Sequence, residues 1–147
     1  MSSEGQLAML KTNAVISIVD DDESVRNSLQ RLLRSMGFEV KTFPSAIEFL
    51  HQGSLNKYGC VIADVRMPEM NGLDLQRRLL DSGVSLPIIF ITAYEDPGVR
   101  VQAMQAGALA FLQKPFSDPS LTDAIRLALE RSSKQTAGSE EIVRRDR

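Results

Sequence analysis

Three consecutive aspartates, Asp20, Asp21 and Asp22, follow Val15–Val19 (VISIV), a run broken only by Ser17 that reads as a buried strand. Two carboxylates about 4 Å apart repel by roughly 1 to 4 kcal/mol, depending on the local dielectric. Something must offset that repulsion. Further along, three more polar groups stand directly after apolar runs. Asp64 closes CVIAD, Thr92 closes PIIFIT, and Lys114 follows ALAFLQ. Carboxylates in oxygen-rich surroundings suit a hard divalent cation such as Mg²⁺, with Mn²⁺ as a substitute. Mg²⁺ takes one or two carboxylates, keeps waters and completes its shell with phosphate oxygens. An ammonium and a hydroxyl supply donors for those phosphate oxygens. An aspartate beside the metal is a candidate nucleophile that forms an aspartyl-phosphate. Phosphoryl transfer asks mainly for positioning and charge neutralisation, which this set offers. Asp22 reads instead as the cap of the helix that follows.

These groups meet only if the chain brings the ends of four runs together. Runs of strand length alternate with segments of helical period. Ala14–Val19, Phe38–Phe43, Cys60–Asp64, Pro87–Thr92 and Ala108–Gln113 read as five strands. Between them, Val25, Leu29, Leu32, Leu33 and Met36 line one helix face, which Gly37 stops. Ser45 and Glu48 form a capping-box pattern for a short second helix, and Asn71-Gly72 opens a third. Asp96-Pro97 and Asp118-Pro119 give cap-and-proline signals for a fourth and a fifth. Alternation of this kind predicts an α/β chain with an open, doubly wound parallel sheet. Functional crevices in such sheets lie at the carboxyl ends of the strands, where Asp20, Asp21, Asp64, Thr92 and Lys114 all fall.

The acidic first loop argues against a dinucleotide or flavin phosphate there, because such ligands meet backbone N–H groups and not three carboxylates. Neither G-x-G-x-x-G nor G-x-x-x-x-G-K-[ST] occurs. The 147 residues carry a formal net charge of −2, which gives no electrostatic ground to expect direct binding to nucleic acid or an anionic membrane. The single cysteine, Cys60, allows no internal disulfide. The start, MSSEGQLAMLK, is too short and polar for a secretory signal, and no apolar run approaches the roughly 20 residues of a membrane helix. A cytoplasmic location is the expectation. Residues 1–13 read as a flexible lead, 14–132 as one domain, and the polar run 133–147 as a tail or the start of a linker.

The segments IVDDDESVR, IADVRMPEMNGLDL, IIFITAYED and AGALAFLQKPF, in this order, resemble the receiver domain of two-component response regulators. The wording around Thr92 and Lys114 is most similar to the FixJ-like branch, whose members often carry a LuxR-type helix-turn-helix. The resemblance implies a flavodoxin-like (βα)5 fold with strand order 2-1-3-4-5. It implies Asp64 as the phosphoacceptor and Mg²⁺ held by Asp21, Asp64 and the backbone carbonyl of Arg66, with Asp20 acting mainly through water. Thr92 matches the hydroxyl that moves to the phosphoryl group, Lys114 the ammonium that pairs with it, and Phe111 the aromatic switch. The bond before Pro115 is expected to be cis. Arg66 and Tyr94 stand two residues beyond the acceptor and the threonine, where the family varies. The implied partners are a cognate histidine kinase and an output domain or protein that reads the surface of the fourth helix, fifth strand and fifth helix. A phosphorylation-dependent homodimer through that surface is a further expectation. The implied role is a phosphoacceptor that regulates an output such as transcription, not an enzyme acting on free substrates. Two other readings fit the residues less well: a receiver-like interaction module that is never phosphorylated, and a Mg²⁺-dependent phosphohydrolase with an aspartyl-phosphate intermediate. Hydrolases of that kind carry the nucleophile just after the first strand and need a cap.

Overall fold

Near-continuous apolar runs form strands that are covered on both faces. A computed structural model describes residues 14–94 and 96–145. The expected lead, residues 1–13, lies outside the described residues, as do residues 146–147. The elements alternate strictly: β1 (Val15–Val19), α1 (Glu23–Ser35), β2 (Glu39–Phe43), α2 (Ala46–Leu50), β3 (Tyr58–Asp64), α3 (Gly72–Asp81), β4 (Ile88–Thr92), α4 (Pro97–Gln105), β5 (Ala110–Gln113) and α5 (Asp118–Arg145). All strand pairs are parallel, and the sheet order is β2-β1-β3-β4-β5. This is the open parallel sheet that the alternation predicts, with the flavodoxin-like strand order that the resemblance implies. β1, β3 and β4 are central, and every residue of β3 and β4 is buried.

The period of two along each strand sorts side chains between the faces. From β3, Cys60 and Ile62 join Ile16, Ile18, Leu33, Leu121 and Ile125 beneath α1 and α5. Val61 and Ala63 join Val19, Phe49, Leu75, Leu79 and Phe90 beneath α2, α3 and α4. Each fully buried Leu, Ile or Phe contributes about 1.5 to 3 kcal/mol by leaving water.

Local signals start and stop the helices. Asp22 caps α1 by accepting from the N–H groups of Ser24 and Val25. Asn71 and Asp74 form a reciprocal capping box at α3. Asp96 caps α4, with Pro97 in its first turn. At α5 the expectation of an Asp118 cap is corrected. Ser117, one residue earlier, accepts from the Ser120 N–H at 3.2 Å. The polar run after Ser132 also differs from a plain tail, because α5 continues through it to Arg145. No proline follows Pro119, and Gly138 is the one strong helix-weakening residue there, at about 1 kcal/mol. Among the described residues, no helix is long and apolar enough to cross a membrane.

Candidate functional site

The parallel register brings the strand ends to one level. Val19 pairs with Ala63, Asp64 with Ile91, and Thr92 with Gln113. The ladder runs one step beyond each strand before the loops diverge. Asp20 N–H donates to Phe43 O (3.1 Å), Val65 N–H to Ile91 O (3.1 Å) and Lys114 N–H to Thr92 O (2.7 Å). The side chains of Asp20, Asp64, Thr92 and Lys114 are thus fixed by rigid strands and not by mobile loop tips.

Asp20 is fully buried, yet each of its polar groups has a partner. Its carbonyl accepts from Arg26 Nη1 (2.7 Å) and its Oδ1 from the Asp22 N–H (2.9 Å). Its Oδ2 accepts from Lys114 Nζ (3.4 Å). The same ammonium lies 3.6 Å from Asp64 Oδ2. Asp64 Oδ1 accepts from the Arg66 N–H at 3.1 Å. One oxygen each from Asp20, Asp21 and Asp64 fall within 4.8 Å of one another, and Asp21 is the exposed member. The repulsion raised by the three aspartates is therefore relieved only in part: Lys114 is one cation shared between two carboxylates. Burial raises the Asp64 pKa above the ordinary carboxylate value, and the Asp20 charge adds to that rise. The Arg66 N–H and Lys114 oppose it, while Asp21 adds to it. An all-oxygen donor set with excess negative charge fits a hard divalent cation.

Four of the expected site residues, Asp20, Asp21, Asp64 and Lys114, therefore meet. Thr92 is buried at the adjacent strand end. Its hydroxyl accepts from the Tyr94 N–H and donates to the Tyr94 carbonyl, both at 3.2 Å, so it is held by its own loop. The contact of Arg66 with Asp64 runs through its N–H. Phe111 is buried against Phe90, with ring centres 6.2 Å apart. The Arg100 guanidinium lies 4.9 Å from the Phe111 ring centre. The Lys114-Pro115 peptide is cis, as expected.

Other contacts at the site were not read from the sequence. Arg26 reaches back from the first turn of α1 to the Asp20 carbonyl. Its only signal was an arginine six residues after the first aspartate, where a long side chain on α1 can return to the turn. Gly72 packs so closely that a Cβ there would stand 2.6 Å from the Asp64 carbonyl oxygen. Arg66 and Tyr94 are both exposed, and the guanidinium carbon lies 4.8 Å from the ring centre.

A family model described as the response regulator receiver domain matches residues 16–126. Among curated proteins, response regulator protein TmoT of Ectopseudomonas mendocina is 45% identical over 138 residues, covering 94% of this chain and 63% of TmoT. Transcriptional regulatory protein FixJ of Bradyrhizobium diazoefficiens is 39% identical over 134 residues, covering 91% of this chain and 65% of FixJ. The chain thus spans a little under two thirds of the length of these relatives. Among solved structures, the response regulator StyR superposes with a TM-score of 0.84 at 42% identity, covering 90% of this chain and 67% of that one. The FixJ-N crystal structure gives 0.74 at 41% identity, covering 80% and 94%.

Proposed function

This chain belongs to the response regulator receiver domain family of two-component systems, and from that premise we propose that Asp64 accepts a phosphoryl group from the phosphohistidine of a partner histidine kinase. The observation that carries the proposal is the Lys114 ammonium, 3.4 Å from Asp20 Oδ2 and 3.6 Å from Asp64 Oδ2, beside the clustered carboxylates. An Asp64 oxygen attacks phosphorus. The P–N bond breaks with its electron pair going to the imidazole, and an O–P bond forms. Asp21, Asp64 and the Arg66 carbonyl would hold Mg²⁺, with Asp20 acting through water. Bound there, the ion neutralises charge on the phosphoryl oxygens.

Lys114 then pairs with a phosphoryl oxygen instead of the bare carboxylate. Thr92 leaves Tyr94 and donates its hydroxyl to another phosphoryl oxygen. Phe111 re-seats, and the surface of α4, β5 and α5 shifts toward a state already present in the ensemble. We take residues 14–132 as the receiver unit and the stretch after it as a connection to an output. That its relatives are response and transcriptional regulators supports an output in transcription through an attached or partner domain. A phosphorylation-dependent dimer on the same surface and a cytoplasmic location belong to the same proposal. The chain acts as a signalling switch that assists its own phosphorylation.

The test is incubation with acetyl phosphate and Mg²⁺, read by a Phos-tag mobility shift. A shifted band is expected for the wild-type protein, and none for Asp64→Asn or for wild type in EDTA. No shift in any lane would favour an interaction module that is never phosphorylated. Turnover of a generic phosphate ester would favour a hydrolase.

A further inference from the structure

A buried polar side chain on α3 plays no part in the site described above. Gln76 is 4% exposed, and its Nε2 donates to the carbonyl of Ala103 at 3.1 Å. Its neighbours Leu75 and Leu79 on α3, with Ala103 and Ala108, belong to the apolar cluster under the sheet. Ala103 lies in the last turn of α4, where carbonyls lack intrahelical partners. The helix ends in a left-handed turn at Gly107 (φ 102°). There, Ala108 N–H donates to Ala103 O at 3.0 Å and Gly107 N–H to Met104 O at 3.1 Å. The Ala103 carbonyl therefore accepts twice, once from its own turn and once from a different helix.

That bond matters because α4 has little else to seat it. Ala103 is its only buried residue. Val99 is half-buried, while Val101 and Met104 are 52% and 42% exposed. The helix is located by directional contacts more than by apolar burial: Gln76 on Ala103, and Arg100 over Phe111. A hydrogen bond in an apolar surround is either made well or costly to leave open, so it defines a discrete position. At the other end of α4, the entering loop is tied to β4 through the two Thr92–Tyr94 bonds. Recruiting the Thr92 hydroxyl to a phosphoryl oxygen breaks both. One end of α4 is then released, and a shift of the helix away from its resting place must break the Gln76–Ala103 bond at the other.

We propose that Gln76 is the tether that sets the resting place of α4 and opposes the phosphoryl-bound form, so that weakening it favours that form. The second part rests on the reading under Proposed function; the first does not. Gln76→Met keeps length and volume without the donor, and Gln76→Leu provides a second apolar replacement. Hydrogen exchange on the protein with no phosphoryl group or mimic reads the tether. Exchange of α4 amides should quicken about fivefold, the equilibrium factor of one lost hydrogen bond, with β3 and β4 unchanged. Calorimetric titration with beryllofluoride and Mg²⁺ reads the coupling, and the mimic should bind about two- to fivefold more tightly to both variants. Unchanged α4 exchange, or faster exchange spread over the whole sheet, overturns the tether. Faster α4 exchange with unchanged or weaker mimic affinity overturns its opposition to the switched form. A wild-type protein that binds no mimic overturns the phosphoacceptor reading and with it that opposition, while the exchange data still decide the tether.

Discussion

The Arg66 guanidinium stands over the Tyr94 ring, 4.8 Å from its centre, and so joins the loop that follows Asp64 to the loop that follows Thr92. Both residues are exposed, and each stands two residues beyond the acceptor or the threonine. An exposed cation–π contact is worth about 0.5 to 1 kcal/mol, which corresponds to roughly a two- to fivefold change in a rate that depends on the loops staying together. Tyr94→Ala and Arg66→Ala should each shorten the life of the phosphorylated protein by about that factor. The double variant should add little, since the residues act through one contact. Phos-tag band decay after removal of acetyl phosphate measures this. A longer life, or full additivity, would mean the pair does not shield the acceptor from water.

Asp64 links stability to pH. Its pKa is raised in the folded protein, first by burial and then by the charge of Asp20. The folded protein therefore holds a proton there that the unfolded chain, at about 3.9, has already released. Stability falls as pH rises through that window, and the full penalty applies above the folded pKa. Asp64→Asn removes the penalty. Its melting temperature without metal should exceed wild type at pH 7.5, and the gap should close near pH 3.5. Added Mg²⁺ should raise the wild-type melting temperature by ligand linkage and raise that of the variant much less. A variant that melts below wild type at neutral pH in EDTA would contradict the burial of a strained carboxylate.

Cys60 offers a probe of the sheet that does not depend on the site. It sits on β3 with no exposure, and burial pushes its thiol up to about 12. The unfolded thiol titrates near 8.5, and the thiolate is the reactive form. At pH 8 a disulfide reagent should label the protein only as fast as β3 opens, with full and immediate labelling in denaturant. Stoichiometric labelling within seconds under native conditions would place Cys60 at an accessible edge and not in the centre of the sheet.

The positions of the chemistry were legible in the sequence because each reactive group closes an apolar run, and parallel strands put run endings side by side. Asp20, Asp64 and Lys114 follow from that rule, and their separations agree with it. The Asp22 and Asp96 caps were legible because short polar side chains before a helical period have one common use. What escaped was the reach of side chains whose period gives no hint of a partner, be it a backbone carbonyl or a ring. Arg26 on Asp20, Arg100 on Phe111 and Gln76 on Ala103 join residues on different elements or across a turn, and pattern alone does not pair them. The length of α5 escaped for another reason. A polar helix and a polar tail share a composition, and the difference lies in backbone hydrogen bonds. The cap of α5 moved to Ser117 because two adjacent residues both have cap chemistry.

Gly72 is where the fold and the site constrain each other most tightly. It is the first residue of α3, and its N–H donates to the Val65 carbonyl at 2.9 Å, so the helix start folds directly back onto the residue after the acceptor. A Cβ at this position would lie 2.6 Å from the Asp64 carbonyl oxygen, 2.8 Å from Phe90 Cε1 and 3.0 Å from Val65 Cα. Two of those three neighbours are backbone, and the third is a ring locked in the core. No flexible side chain is available to yield. Gly72→Ala should therefore cost about 1 to 3 kcal/mol of stability, the usual range for overpacking. It should also displace the Asp64 backbone and weaken Mg²⁺ uptake. The control is Gly53→Ala. Gly53 has φ 94° but open space around it, so that change should cost about 1 to 2 kcal/mol through conformation alone and leave Mg²⁺ affinity where it was. Denaturant melts paired with calorimetric Mg²⁺ titration separate the two effects. Equal metal affinity in both variants would show that α3 can slide without carrying the acceptor along.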